Sequence, residues 1–102
     1  MIKQLESQLA HLAATHQTTT YGQLARDLGL TGPATIARLT DALETLMEQD
    51  RATGHPLRAA LVNARNSPLP APGFFAKAAA LGCDTSDPAT FTATQRAALS
   101  VR

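Results

Sequence analysis

The stretch from Thr20 to Arg65 constrains this chain more than any other. It holds two helical patterns separated by residues that cannot continue either one. The first runs from Tyr21 to about Leu28 and places Leu24, Ala25 and Leu28 on one face. Thr20 and Gln23 have the T-x-x-Q spacing of a capping box, which marks the start of that helix. Gly29 marks its end, because glycine takes a left-handed conformation without steric cost. The second pattern predicts a helix over 33–52, with Ile36, Leu39, Leu43, Leu46 and Met47 as its apolar stripe. Pro33 suits a first helical turn, where its missing N–H has no partner to lose. Residues 57–63 are short, apolar and flanked by Pro56 and Asn66, which predicts a strand. Helix, tight turn, longer helix and strand is the order of a winged helix-turn-helix.

The flanks read as supporting helices. Ile2, Leu5, Leu9, Leu12 and His16 recur at helical spacing and predict a helix over 2–17, with His16 on its apolar side. Pro68, Pro70 and Pro72 make an extended connection, since each proline restricts itself and the residue before it. An Ala-rich helix over 74–81 follows and stops at Gly82, with Phe74, Ala78 and Leu81 on one face. Cys83 to Thr90 reads as a polar loop. Thr92 and Gln95 repeat the capping-box spacing and predict a last helix over 92–100, with Phe91 as a hydrophobic staple and Ala98, Leu99 and Val101 as its apolar positions. The expected fold class is mainly α with a small β component, one winged helix-turn-helix-like domain over residues 1–102.

Composition removes several function classes. The single cysteine, Cys83, excludes an intrachain disulfide and a cysteine metal cluster, and it fits a cytoplasmic location. His11, His16 and His55 lack ligand spacing, so no metal is expected. Gly22, Gly29 and Gly32 match neither a dinucleotide fingerprint nor a P-loop, so no cofactor is expected. Asp41, Glu44 and Glu48 share one helix face and read as solvated surface rather than an acid–base pair. The segment MIKQLESQLAHL carries Glu6 and does not read as a signal peptide, and no apolar run reaches the ~20 residues of a membrane span. A net charge of +1 neither announces nor excludes a nucleic-acid partner.

The central stretch resembles the C-terminal domain of the alkylguanine DNA alkyltransferases and the alkyltransferase-like proteins. The fragments that carry the resemblance are TYGQLA at 20–25, DLGLTGPA at 27–34, DAL at 41–43, PLRAALV at 56–62 and PAPGFFAKAAALG at 70–82. The resemblance implies a DNA-binding winged-helix scaffold. It does not carry over the chemistry. The family's reactive cysteine falls at Leu57 and the histidine after it at Arg58, so alkyl transfer by that route is excluded. The family's base-displacing arginine falls at Ala37, beside Arg38, and its small glycine at Thr40. The run LRAALVNARNSPLPAPGFF also resembles small uncharacterised bacterial domains that open on a Tyr-Gly helix, which implies a bacterial origin but no activity.

Two non-enzymatic readings remain open. In the first, the helix beginning near Pro33 enters duplex DNA. Thr35 and Arg38 then reach base edges or phosphates, Tyr21, Gln23 and Arg26 hold the backbone, and Arg58 and Arg65 line the wing. So few cations imply weak binding that depends steeply on salt. In the second, the scaffold is a protein-interaction module. Its contact surface is then the acidic face of the 33–52 helix (Asp41, Glu44, Glu48, Asp50) or the Pro-Gly-Phe-Phe segment at 72–75.

Overall fold

A computed structural model describes residues 2–100. In chain order its elements are α1 (Ile2–Ala14), β1 (Thr19–Thr20), α2 (Tyr21–Asp27), α3 (Thr35–Thr53), a 3-10 turn (Arg58–Leu61), β2 (Val62–Asn63), α4 (Pro72–Ala80) and α5 (Pro88–Ser100). The domain is mainly helical, and β1 and β2 form a two-stranded parallel sheet with Thr19 opposite Val62 and Thr20 opposite Asn63. No described helix is long and apolar enough to cross a membrane.

The core gathers Leu5, Leu9 and Leu12 of α1, Leu24 of α2, Leu39, Leu43, Leu46 and Met47 of α3, Phe74 and Ala78 of α4, and Leu99 of α5. These surround a buried run, Leu57 and Ala59 to Val62, interrupted only by the half-buried Arg58. The helices α3, α5 and α1 all pack against the 3-10 turn within that run. Each buried leucine contributes about 1.5–3 kcal/mol, so this packing outweighs a sheet of two residues per strand. The sheet's part is to set register.

The central segment is where the expected strand over 57–63 gives way. Only Val62–Asn63 is strand, and Arg58–Leu61 closes into a 3-10 turn with Ala60 N–H donating to Leu57 O at 3.1 Å. A strand here would need a neighbour for its backbone. Side chains supply the partners instead: Gln95 Oε1 accepts from Leu57 N–H at 2.8 Å, and Asp50 Oδ2 accepts from Arg58 N–H at 3.1 Å. Because the run is buried on every side, its apolar residues show no alternation that could separate turn from strand.

Four helices end alike. Behind α1, α2, α3 and α4 stands a residue of positive φ (His16, Gly29, Gly54 and Gly82), and the amide after it reaches back to the carbonyl five residues earlier, at 2.8–3.0 Å. His16 therefore ends α1 short of the expected residue 17. It is exposed in a left-handed conformation (φ 56°) instead of sitting on the apolar stripe.

Three helix starts also differ from expectation. α4 begins at Pro72, two residues before the expected start, with the proline in its first turn. α3 begins at Thr35 after Ala34 in a left-handed conformation (φ 58°), so Pro33 belongs to the turn. Ile36 then overhangs the core and is 47% exposed rather than buried in the stripe. α5 begins four residues early. Asp87 accepts from Thr90 N–H and from the Thr90 hydroxyl (3.2 and 2.8 Å), and Pro88 fits the first turn. Thr92 is thus no cap. It is buried inside the helix, its hydroxyl donating to Pro88 O at 2.8 Å. Phe91 lies within the helix, tilted against Phe74 with ring centroids 6.1 Å apart. Val101, expected on the same apolar side, lies outside the described residues.

Candidate functional site

The parallel pairing brings the start of α2 beside the turn that follows β2. Between them and the overhanging first turn of α3 lies a groove of about 740 Å³. Its lining is Thr20, Tyr21, Gly22, Arg26, Ile36, Arg65 and Asn66. The turn at 64–69 is closed by Ala64 N–H on Leu69 O at 2.9 Å and Ser67 N–H on Ala64 O at 3.2 Å, with Asn66 left-handed at φ 57°. That turn carries Arg65 to the groove.

Arg26 is held along the surface of α2. Its Nη2 donates to Gln23 Oε1 at 2.9 Å, and Gln23 Nε2 donates in turn to Asp27 Oδ1 at 2.8 Å. Gln23 N–H donates to Thr20 Oγ1 at 3.2 Å, so the expected cap forms, while the Gln23 side chain serves Arg26 and Asp27. Among the described residues no ion pair involves Arg26, Arg38 or Arg65, and no carboxylate lines the groove.

Tyr21 and Ile36 also belong to an adjoining apolar pocket of about 180 Å³. Its other walls are Thr40, Leu43, Glu44, Met47, Ala59, Ala71, Gly73 and Phe74. Burial raises the Tyr21 hydroxyl above its ordinary pKa, the Ala71 backbone pulls it partly back, and the charge of Glu44 adds to the rise. Tyr21 is therefore a neutral phenol at physiological pH, standing where the arginine-bearing groove meets an apolar recess.

Of the residues expected on a nucleic-acid surface, Tyr21, Arg26 and Arg65 meet in the groove, and Gln23 braces Arg26. Thr35 and Arg38 fold back on the turn before α3, the Thr35 hydroxyl donating to Gly32 O and Arg38 Nη2 to Thr31 O, both at 2.7 Å. Arg58 lies elsewhere. It grips Asp50 (Nη2 to Oδ1, 2.8 Å), stands 3.7 Å from Glu6, and lines a different pocket with His55 and Leu99. Asp50, expected on the outer acidic face, is 2% exposed, and Glu48 is paired with Lys77 at 2.8 Å. In the Pro-Gly-Phe-Phe segment Phe74 is buried and Phe75 half-buried, with rings packed edge to face at 5.1 Å.

Thr20, Gly22, Ile36 and Asn66 join the groove without having been picked out. Only Asn66 carried a usable signal, as a turn residue that tolerates a left-handed conformation. Half-buried Cys83 lies in a separate pocket with Arg51, His55 and Gln95. Among the described residues no three of His, Cys, Asp and Glu are grouped to hold a metal ion. What the groove offers chemically is two guanidinium groups, an amide and a phenol beside an exposed aliphatic side chain. No family model, curated protein or solved structure matches this chain.

Proposed function

We propose that this domain binds duplex DNA, with the sugar-phosphate backbone of one strand in the groove between α2, the first turn of α3 and the 64–69 turn. The observation that carries the reading is the convergence of Arg26 and Arg65 on one groove without a carboxylate in its lining. Two guanidinium groups on one groove can neutralise two phosphates, and each can donate to two oxygens. Thr35 and Arg38 lie in the first turn of α3, on either side of Ile36 in the chain, and in this reading they exchange their bonds to Gly32 O and Thr31 O for contacts to DNA. The resemblance to the alkyltransferase scaffold points the same way. The binding is non-covalent, because Leu57 fills the nucleophile's place and is buried in the core.

The test is a titration of labelled duplex at low salt with the wild type, Arg26→Ala, Arg65→Ala and Arg38→Ala. Non-specific affinity in the range of about 1–100 µM is expected, weakening steeply with salt. Each arginine that meets a phosphate contributes about one unit to the slope of log K against log salt. Absence of any binding at about 100 µM protein sinks the reading.

A second reading rests on Ile36. Its exposure beside an apolar recess gives a partner protein a place to insert one aliphatic or aromatic side chain. A pull-down that depends on Ile36, together with no DNA affinity, selects it.

A further inference from the structure

Arg96 of α5 makes three hydrogen bonds to three consecutive parts of the chain. Nε donates to Ala60 O of the 3-10 turn at 2.8 Å, Nη1 to Pro68 O at 3.2 Å, and Nη2 to Asn63 Oδ1 of β2. All three acceptors are neutral, so the interaction is a clamp of fixed geometry rather than an ion pair. Burial lowers the guanidinium pKa, yet an arginine stays charged at any physiological pH. Asn63 and Pro68 bracket the segment that carries Arg65. The turn's own hydrogen bonds close it locally but do not fix it to the body of the domain. Beyond the two-residue pairing of β2, the Asn63 Nδ2 donation to Thr18 Oγ1 at 3.3 Å and the burial of Pro70 after the turn, the Arg96 fork is the side-chain contact that reaches both Asn63 and Pro68.

We infer that Arg96 is a positioning residue: by gripping both ends of the 63–68 segment from α5, it holds Arg65 in the groove facing Arg26. The inference deepens the DNA reading and rests on it for its functional consequence, though its structural half stands alone. A lysine cannot replace it, because one ammonium group cannot span three acceptors set out along a planar fork.

Two measurements test it on the full chain. The first is amide hydrogen exchange by NMR in the DNA-free protein. Arg96→Gln is expected to speed exchange at Ala64 and Ser67 at least about tenfold while leaving Leu9 and Leu46 in the core protected. Unchanged protection at Ala64 and Ser67, or equal loss across the domain, overturns the clamp. The second is a double-mutant cycle on duplex affinity. Arg96→Gln is expected to weaken binding about as much as Arg65→Ala does, and to add nothing in the Arg65→Ala background. Additive losses overturn the link to Arg65. If Arg96→Gln does not fold, Asn63→Ala removes one acceptor and repeats both arms in milder form, with Thr18→Ala as the control for the Asn63–Thr18 bond that is lost with it. If the wild type binds no duplex, the DNA reading falls, and the exchange arm still decides whether Arg96 holds the turn.

Discussion

Asp50 and Arg58 are eight residues apart in sequence and joined through three atoms of the arginine. Arg58 Nη2 stands 2.8 Å from Asp50 Oδ1, Nε donates to both carboxylate oxygens at 3.0–3.1 Å, and Arg58 N–H donates to Oδ2 at 3.1 Å. The Asp50 side chain is almost fully buried, whereas the Arg58 side chain keeps 21% of its surface exposed. The two halves of the pair are therefore unequal. Arg58→Ala leaves the buried carboxylate with the backbone N–H of residue 58 and with His55 Nδ1 at 3.7 Å but without its guanidinium, and is expected to cost about 3–5 kcal/mol. Asp50→Asn removes the charge, and Arg58 can still turn toward Glu6 or water, so the loss is smaller. Urea denaturation of both variants checks the order, and equal losses would contradict it.

The shared helix ending makes a second prediction. His16 occupies a left-handed position that the other three helices give to glycine. His16→Gly is expected to stabilise the domain by about 1 kcal/mol through relief of that strain, less the entropy glycine regains on unfolding. In thermal melts this reads as a rise of about 4–8 °C. A fall in Tm would mean the histidine side chain makes a contact worth more than the strain.

The exposure of Ile36 fixes the rotational phase of α3 and can be checked by comparison with Leu39. Ile36→Ala is expected to change stability by no more than about 0.5 kcal/mol, because the side chain is already in solvent. Leu39→Ala empties a fully buried site and is expected to cost about 2–5 kcal/mol.

Asp87 gives the domain a pH-dependent helix start. Its carboxylate accepts from the Thr90 hydroxyl and N–H, which lowers its pKa below the usual 3.8. A depressed carboxyl stabilises the fold above the unfolded pKa, and the contribution disappears as pH falls through the folded value. Asp87→Ala is thus expected to lower Tm near neutral pH, with the gap to the wild type closing below about pH 4. A gap that stays constant down to pH 2 would show that the cap acts without its charge.

The ion pair, the helix ending and the helix start also mark where the sequence was legible. Gly29, Gly54 and Gly82 announce helix ends because glycine is the usual occupant of a left-handed site. His16 takes the same conformation without any local sign. Thr92 had the correct capping spacing, but Asp87-Pro88 offered a better start one turn earlier, and propensity alone does not rank two adjacent caps. Leu57 to Asn63 carried apolar character without period, and the side chains that satisfy its backbone, Asp50 and Gln95, come from two different helices. The groove was legible in half. Tyr21 and Arg26 belong to one short helix, while Arg65 reaches them only through the β1–β2 pairing.

That pairing joins only Thr19 with Val62 and Thr20 with Asn63. Thr19 points inward and is buried, and Thr20 caps the helix that begins at the next residue. Successive strand residues face opposite sides, so a slip of one position would bury the capping hydroxyl and push its neighbour into solvent. The start of α2 would turn with it and swing the Tyr21 ring away from the mouth of the apolar recess. A sheet too small to hold the domain together thus works as an indexing notch: it sets the angle at which the aromatic side chain stands between the groove and the recess.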